Sequence, residues 1–185
     1  MIKLMIFLSA LLWIVPAQQK MVKTKVTDNI TLMLPEDFYA MSPDDIAQRY
    51  PSVRKPIGAY TNSSRMVDFS VNESATRWRE QDTPMAKDFF KASLLNLYDE
   101  VEMIQEGVRT INKRNYIYFE FDSTIEGDKY SLDKKNPVRT YTYIQYLIMN
   151  GKTLVFSFNC PYKFKDKWKE AAGEVMESIK VKKGA

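Results

Sequence analysis

Asn150-Gly151 constrains this chain more than any other feature. Both residue types tolerate the positive φ that a two-residue hairpin turn requires. They separate two runs, Thr140 to Met149 and Thr153 to Cys160, that read as antiparallel strands. A ribbon of that length has an apolar side to bury, so the chain must supply further strands and something to cover them. Tyr116 to Asp122 is the clearest alternation: Ile117, Phe119 and Phe121 point one way, while Tyr116, Tyr118, Glu120 and Asp122 point the other.

The first 17 residues read differently. Met1-Ile2-Lys3 sets one positive charge ahead of an apolar run from Leu4 to Val15, and Val15-Pro16-Ala17 has the small-residue form of a signal-peptidase site. The run is too short to cross a hydrocarbon core, which needs about 20 residues in a helix. Residues 1–17 are therefore expected to be a cleaved signal peptide, leaving residues 18–185 as a single exported domain, periplasmic or extracellular, with no stable membrane insertion after cleavage. Those 168 residues suffice for one substantial core.

Along that domain, Met21 to Val26 and Ile30 to Leu34 read as short strands about a Thr27-Asp28-Asn29 turn. Ser42-Pro43, and later Thr83-Pro84, are helix-start signals, a capping residue followed by proline. The first helix stops before Pro51. The second carries Ala86, Phe89, Phe90, Leu94, Leu97 and Tyr98 at helical spacing. Ile57 to Tyr60 and Met66 to Asn72 form a strand pair about Asn62-Ser63-Ser64, and Val101 to Gln105 and Gly107 to Asn112 read as another. Gly127 to Pro137 is a polar loop. A final helix from Tyr162 to Ile179 buries Phe164, Trp168, Ala171, Ala172, Val175 and Ile179, and Val181 to Ala185 reads as a frayed basic tail. The sum is an α+β fold, a central antiparallel β-sheet with helices packed on it.

Two stretches carry a resemblance. Ile30-Thr31-Leu32-Met33-Leu34-Pro35-Glu36-Asp37-Phe38 is similar to a strand ending in Leu-Pro-x-x-aromatic. The Asn150-Gly151 hairpin with the closing helix to Ser178-Ile179-Lys180 is similar to the C-terminal half of the same family. The chain thereby resembles the PsbP-like superfamily, which includes PsbP, the Ran-binding Mog proteins and periplasmic DcrB-like proteins. The resemblance spans nearly the whole mature chain and implies an α/β/α sandwich with helices on both faces of the sheet. It also implies an accessory or binding role rather than a shared chemistry. The His-dependent ion sites of the photosystem protein do not carry over, because this chain has no His.

Composition removes several function classes. Without His and with one Cys, neither a Ser-His-Asp nor a Cys-His constellation can be built, and no internal disulfide is available. No cofactor or metal is expected. After signal removal 26 basic residues face 23 acidic ones, too small an excess for a nucleic-acid binder. Glu120 and Asp122 share a strand face about 6.6 Å apart in rise. That spacing suits a paired-carboxylate hydrolase, but both acids project from one wall, so a catalytic role is not expected. The candidate interaction face is the aromatic and polar cluster Tyr116, Tyr118, Glu120, Tyr141, Tyr143 and Gln145, whose composition suits contact with a protein partner in the cell envelope. A second expectation is a carrier for a small apolar or aromatic ligand between sheet and helix, walled by Phe89, Phe90, Met103 and Phe119. Cys160 shares a face with Phe156 and Phe158 and reads as buried. Asn29, Asn62 and Asn72 begin Asn-x-Ser/Thr triplets, with Asn62 in the turn expected to be exposed.

Overall fold

The architecture follows from a computed structural model that describes residues 19–51, 54–126 and 136–183. The expected leader, residues 1–17, and most of the polar loop, residues 127–135, lie outside the described residues. Strands β1 (Met21–Lys25), β2 (Ile30–Pro35) and β3 (Phe38–Ala40) lead into helix α1 (Pro43–Arg49). Strands β4 (Gly58–Asn62) and β5 (Asp68–Glu73) precede helix α2 (Thr83–Leu97). Four long strands follow: β6 (Glu100–Ile111), β7 (Arg114–Ile125), β8 (Val138–Met149) and β9 (Lys152–Pro161). Helix α3 (Lys165–Ser178) and strand β10 (Lys180–Val181) close the chain.

Seven strands form one antiparallel sheet in the order β3-β4-β5-β9-β8-β7-β6, and β1-β2-β10 form a smaller one. The alternation read in β7 sorts the core into two layers. Ile117, Phe119 and Phe121 join Tyr146 and Ile148 beneath Ala86, Phe90 and Leu94 of α2. The opposite face of the sheet joins Phe69, Val71, Phe156 and Phe158 to Ile30, Leu32 and Leu34 of β2 and to Trp168, Ala172 and Val175 of α3. Helices thus cover both faces, the α+β arrangement expected. No helix among the described residues is long and apolar enough to cross a membrane.

Four expectations are corrected. Residues 101–112 are not a strand pair but one strand, β6, broken by a bulge between Met103 and Gln105. Before the bulge, Val101 and Met103 face α2; after it, Gln105, Gly107 and Arg109 pair with Glu120, Tyr118 and Tyr116 on the α3 face. One extra residue reverses the parity of the strand, and the broken alternation imitates a turn. The real turn is Asn112-Lys113, with φ of 48° and 66°, beside the expected hairpin at Asn150 (52°) and Gly151 (70°). Gly107 is needed for close approach instead: a Cβ there would lie 3.1 Å from the Tyr118 ring.

The basic tail is not frayed, because Lys180 and Val181 pair with β2 and the Lys182 N–H donates to the Asn29 carbonyl at 2.9 Å. On α2, Phe89 and Leu97 are exposed rather than part of the buried stripe. Asn62 is buried, and its Oδ1 accepts from the backbone N–H groups of Met66 and Val67, so this amide closes the turn instead of facing solvent for glycosylation.

Lys113 is a non-glycine residue in left-handed backbone, a conformation costing roughly 1–2 kcal/mol for an L-residue. Lys113→Gly, which makes an Asn-Gly turn like the one at Asn150, is expected to raise stability by about 1 kcal/mol in urea denaturation with an unchanged m-value.

Candidate functional site

Register brings all six expected interaction residues into one block. In the β7–β8 ladder Asp122 faces Tyr141, Glu120 faces Tyr143 and Tyr118 faces Gln145, with Tyr116 opposite Leu147. The block is not an open docking face, however. Tyr116, Glu120, Tyr141, Tyr143 and Gln145 are buried under α3, and only Tyr118 is half-buried.

What places α3 here is a match of periods. Lys165 Nζ donates to Asp122 Oδ2, and Lys169 Nζ lies 3.6 Å from Glu120 Oε1. Four residues on a helix rise about 6.0 Å and two on a strand about 6.6–6.8 Å, so the lysines and acids stay in step. The same step continues to Gly173 and Glu177, and Glu177 Oε1 lies 3.5 Å from Arg109 Nη1. Lys169, one turn on from Lys165, turns toward the sheet as well. At Gly173 no side chain fills the step, and a Cβ there would meet nothing within 4 Å.

The result is a cleft of about 410 Å³ between α3 and the β6–β7 edge. It is lined by Gln105, Arg109, Glu120 and Tyr143 from the sheet and by Asp166, Lys169, Glu170, Gly173 and Glu177 from the helix. The Arg109 guanidinium stacks 3.9 Å above the Tyr118 ring and 5.9 Å from the Tyr143 ring. Glu120 accepts from Tyr141 OH at 2.9 Å and from Gln105 Nε2, in addition to its pairing with Lys169. Neither the Tyr143 hydroxyl nor either polar atom of the neighbouring buried Gln145 amide makes a hydrogen bond of normal geometry among the described residues.

Burial, and then the Glu120 carboxylate, hold the Tyr141 hydroxyl far above its ordinary value, so it is a fixed donor. Burial likewise raises Tyr143, against the opposing pull of the Arg109 charge and the neighbouring Gln145 amide, so its hydroxyl stays protonated. Burial opposes the charge of Lys165, but its hydrogen bond to Asp122, together with the charge of that carboxylate and of its other neighbours, outweighs this and carries the ammonium above its usual value.

The carboxylate pair therefore has structural work. Glu120 and Asp122, 1% and 4% exposed, are each tied to a lysine of α3. The apolar-carrier walls also differ from expectation: Phe90 stacks on Tyr146 with centroids 4.0 Å apart, Phe119 lies edge-on to the same ring, and Phe89 packs on Trp78. These rings pack against one another. Cys160 is buried beside Tyr141, and burial followed by the Asp122 charge pushes its thiol up to about 12. No group of three or more His, Cys, Asp or Glu that could hold a metal occurs among the described residues.

Sequence reasoning missed Gln105, Arg109 and Gly173. The available signal was the pairing of spacings, Lys165/Lys169 against Asp122/Glu120, which fixes which face of α3 looks at β7.

No family model matches the sequence, and no curated protein matches it at a significant level. Solved structures do match the fold. Cyanobacterial PsbP (CyanoP) from Synechocystis sp. PCC 6803 aligns with a TM-score of 0.59 at 13% identity, over 90% of this chain and 95% of that one. The Ran-binding protein Mog1p of Saccharomyces cerevisiae aligns at 0.56 and 15% identity, over 89% and 96%. LpqN of Mycobacterium tuberculosis, described as involved in cell envelope biogenesis, aligns at 0.55 and 10% identity, over 89% and 91%. The chain has the PsbP-like fold.

Two measurements check this description. Lys165→Met leaves a buried carboxylate unpaired and is expected to cost about 3 kcal/mol, most of it recovered when Asp122→Asn is added. Because the folded lysine value is raised, the pair's contribution is complete at neutral pH and fades only as alkaline pH rises through that value. In the second measurement, Cys160 should resist a thiol reagent in the native protein and react at once in denaturant.

Proposed function

We propose that this protein is an exported, non-enzymatic accessory protein of the cell envelope that binds a protein partner through the α3–β6 cleft. The observation carrying this reading is the cleft itself: a polar concavity with an ordered guanidinium and unused hydrogen-bonding groups, beside acids already engaged by lysines. The signal-type N-terminus supports export. The likeness to a Ran-binding protein and to a protein of cell envelope biogenesis supports a binding role in that setting.

Native mass spectrometry of the mature protein, gently purified from its source cells, tests the reading. The expected species begins at Gln18 and carries a second protein at fixed stoichiometry. That partner is lost from a Gly173→Trp variant whose circular dichroism is unchanged, since the new ring fills open space in the cleft. A partner-free chain in both proteins, or a chain that keeps residues 1–17, overturns it.

A further inference from the structure

We propose that the α3–β6 cleft recognises a free carboxylate accompanied by an ammonium group, as at the C-terminus of a peptide with a basic side chain. The inference rests on the reading above for the use of this cleft and adds the chemistry of what enters it.

Charge is layered by depth. Tyr143, 2% exposed, is at the floor, and the side chains of Arg109 and Lys169 stand above it at 26% and 48%. The rim is acidic: Glu177 at 66%, with Asp166 and Glu170 exposed. A ligand that satisfies both layers leads with an anion and trails a cation.

The floor is built for a carboxylate in particular. A guanidinium offers a planar fork that matches two carboxylate oxygens. In Arg109 that fork is held flat against Tyr118, whose hydroxyl it also reaches, while its contacts to Gln105 Oε1 at 3.4 Å and to the exposed Glu177 at 3.5 Å are long. Beside it the buried Tyr143 hydroxyl is protonated and makes no hydrogen bond of normal geometry among the described residues, the neighbouring Gln145 amide being equally unsatisfied. An unpaired buried hydroxyl is a standing cost that an incoming acceptor removes. Glu120 does not contest the site as a bare charge, because Tyr141, Gln105 and Lys169 already surround it.

At the rim, Asp166 and Glu170 have no ion pair among the described residues and stand one helical turn apart on the wall of the cleft. They are placed for a cation entering behind the carboxylate. A volume of about 410 Å³ lies toward the small end of ligand pockets and suits one or two amino-acid residues.

Calorimetric titration of the purified protein with acetyl-Gly-Lys as the free acid, the same peptide as its C-terminal amide, acetyl-Gly-norleucine free acid and L-lysine tests the proposal. The free acid should bind at least about tenfold more tightly than the amide, because the charge-assisted fork is lost in the latter. The norleucine peptide should bind more weakly than the lysine peptide, and that difference should shrink in Glu170→Gln. Arg109→Lys keeps the charge and loses the fork, so it should erase most of the preference for the free acid. Tyr143→Phe, isosteric at a buried position, should weaken binding several-fold with unchanged circular dichroism. Binding of L-lysine as tight as that of the peptide supports the same chemistry with a free amino acid as its source. Equal affinity for acid and amide, or no heat with any probe at millimolar concentration, overturns the proposal even where a cellular partner is captured. Tight free-acid binding with no partner in cells upholds the site and overturns only the accessory reading.

Discussion

The structure depends on how α3 is seated. A helix lying on a sheet can slide or roll at little cost where the contact is purely apolar, because Leu, Val and Phe surfaces are non-directional. Here the contact with β7 is directional. Lys165 and Lys169 meet Asp122 and Glu120, and a shift of one residue along either element would bury two carboxylates without partners. Ion pairs of this kind add little net stability, since desolvation offsets the attraction, but misplacing them is expensive. Our hypothesis is that they set the register of α3. The carboxylate of Asp122 lies by the first residues of α3, where negative charge also complements the helix dipole and no side-chain cap is present. A loss of that register should appear as altered near-UV circular dichroism in the Lys165→Met, Asp122→Asn double variant; an unchanged spectrum would remove the idea.

The bulge in β6 is the second half of the same design. An unbroken strand would turn Gln105 and Arg109 toward α2 and carry Glu106 to the opposite face, away from its partners Lys87 and Lys91. One inserted residue places Gln105 on Glu120 and lays Arg109 across Tyr118, with Gly107 making room for the ring. Bulges are common where a strand must aim a side chain, and this one converts an edge strand into the wall of a cleft. The edge glycine covered by a cross-strand tyrosine compensates in packing for the side chain it lacks.

Local signals carried the fold well wherever one short-range rule dominated. The Asn-Gly turn, the capped Ser42-Pro43 helix start and the β7 alternation each rest on a few adjacent residues, and each is in place. At α2 the signal is one residue off: Thr83 is the first helical residue and not the cap, the N-cap being Asp82. The failures share a cause: a neighbour distant in sequence decided the outcome. The bulge at Met103–Gln105 breaks periodicity and imitates a turn, while the true turn uses Lys113 in backbone that its side chain does not advertise. Val181 becomes a strand because β2 offers an edge, although the intervening chain is most of the protein. For the site, the sequence grouped the six residues of β7 and β8 correctly but could not show that α3 lies over them. Of the face read as a contact surface only Glu120 and Tyr143 line the cleft, and its walls come from residues such as Arg109, Lys169 and Gly173.

Both ends of α3 are fixed, which bears on how the cleft works. At its start Lys165 is tied to Asp122. At its end the Ser178 hydroxyl accepts from the Met33 N–H at 2.8 Å, the Asn112 amide donates to the Ile179 carbonyl at 2.8 Å, and β10 pairs with β2. Between these anchors Trp168, Ala172 and Val175 are buried against the sheet and β2. A helix held in this way cannot lift without breaking core contacts, so a ligand of the proposed kind would meet a preformed cleft. Rigid walls keep the ordering cost of binding low, and they concentrate discrimination in the few groups that face the opening. In a fold shared by proteins with 10–15% identity, those few groups are what individual chains can change without disturbing the sheet. The glycine at 173, the bulge before Gln105 and the stacked Arg109 are features of this sequence, and function is expected to reside in them rather than in the framework they share.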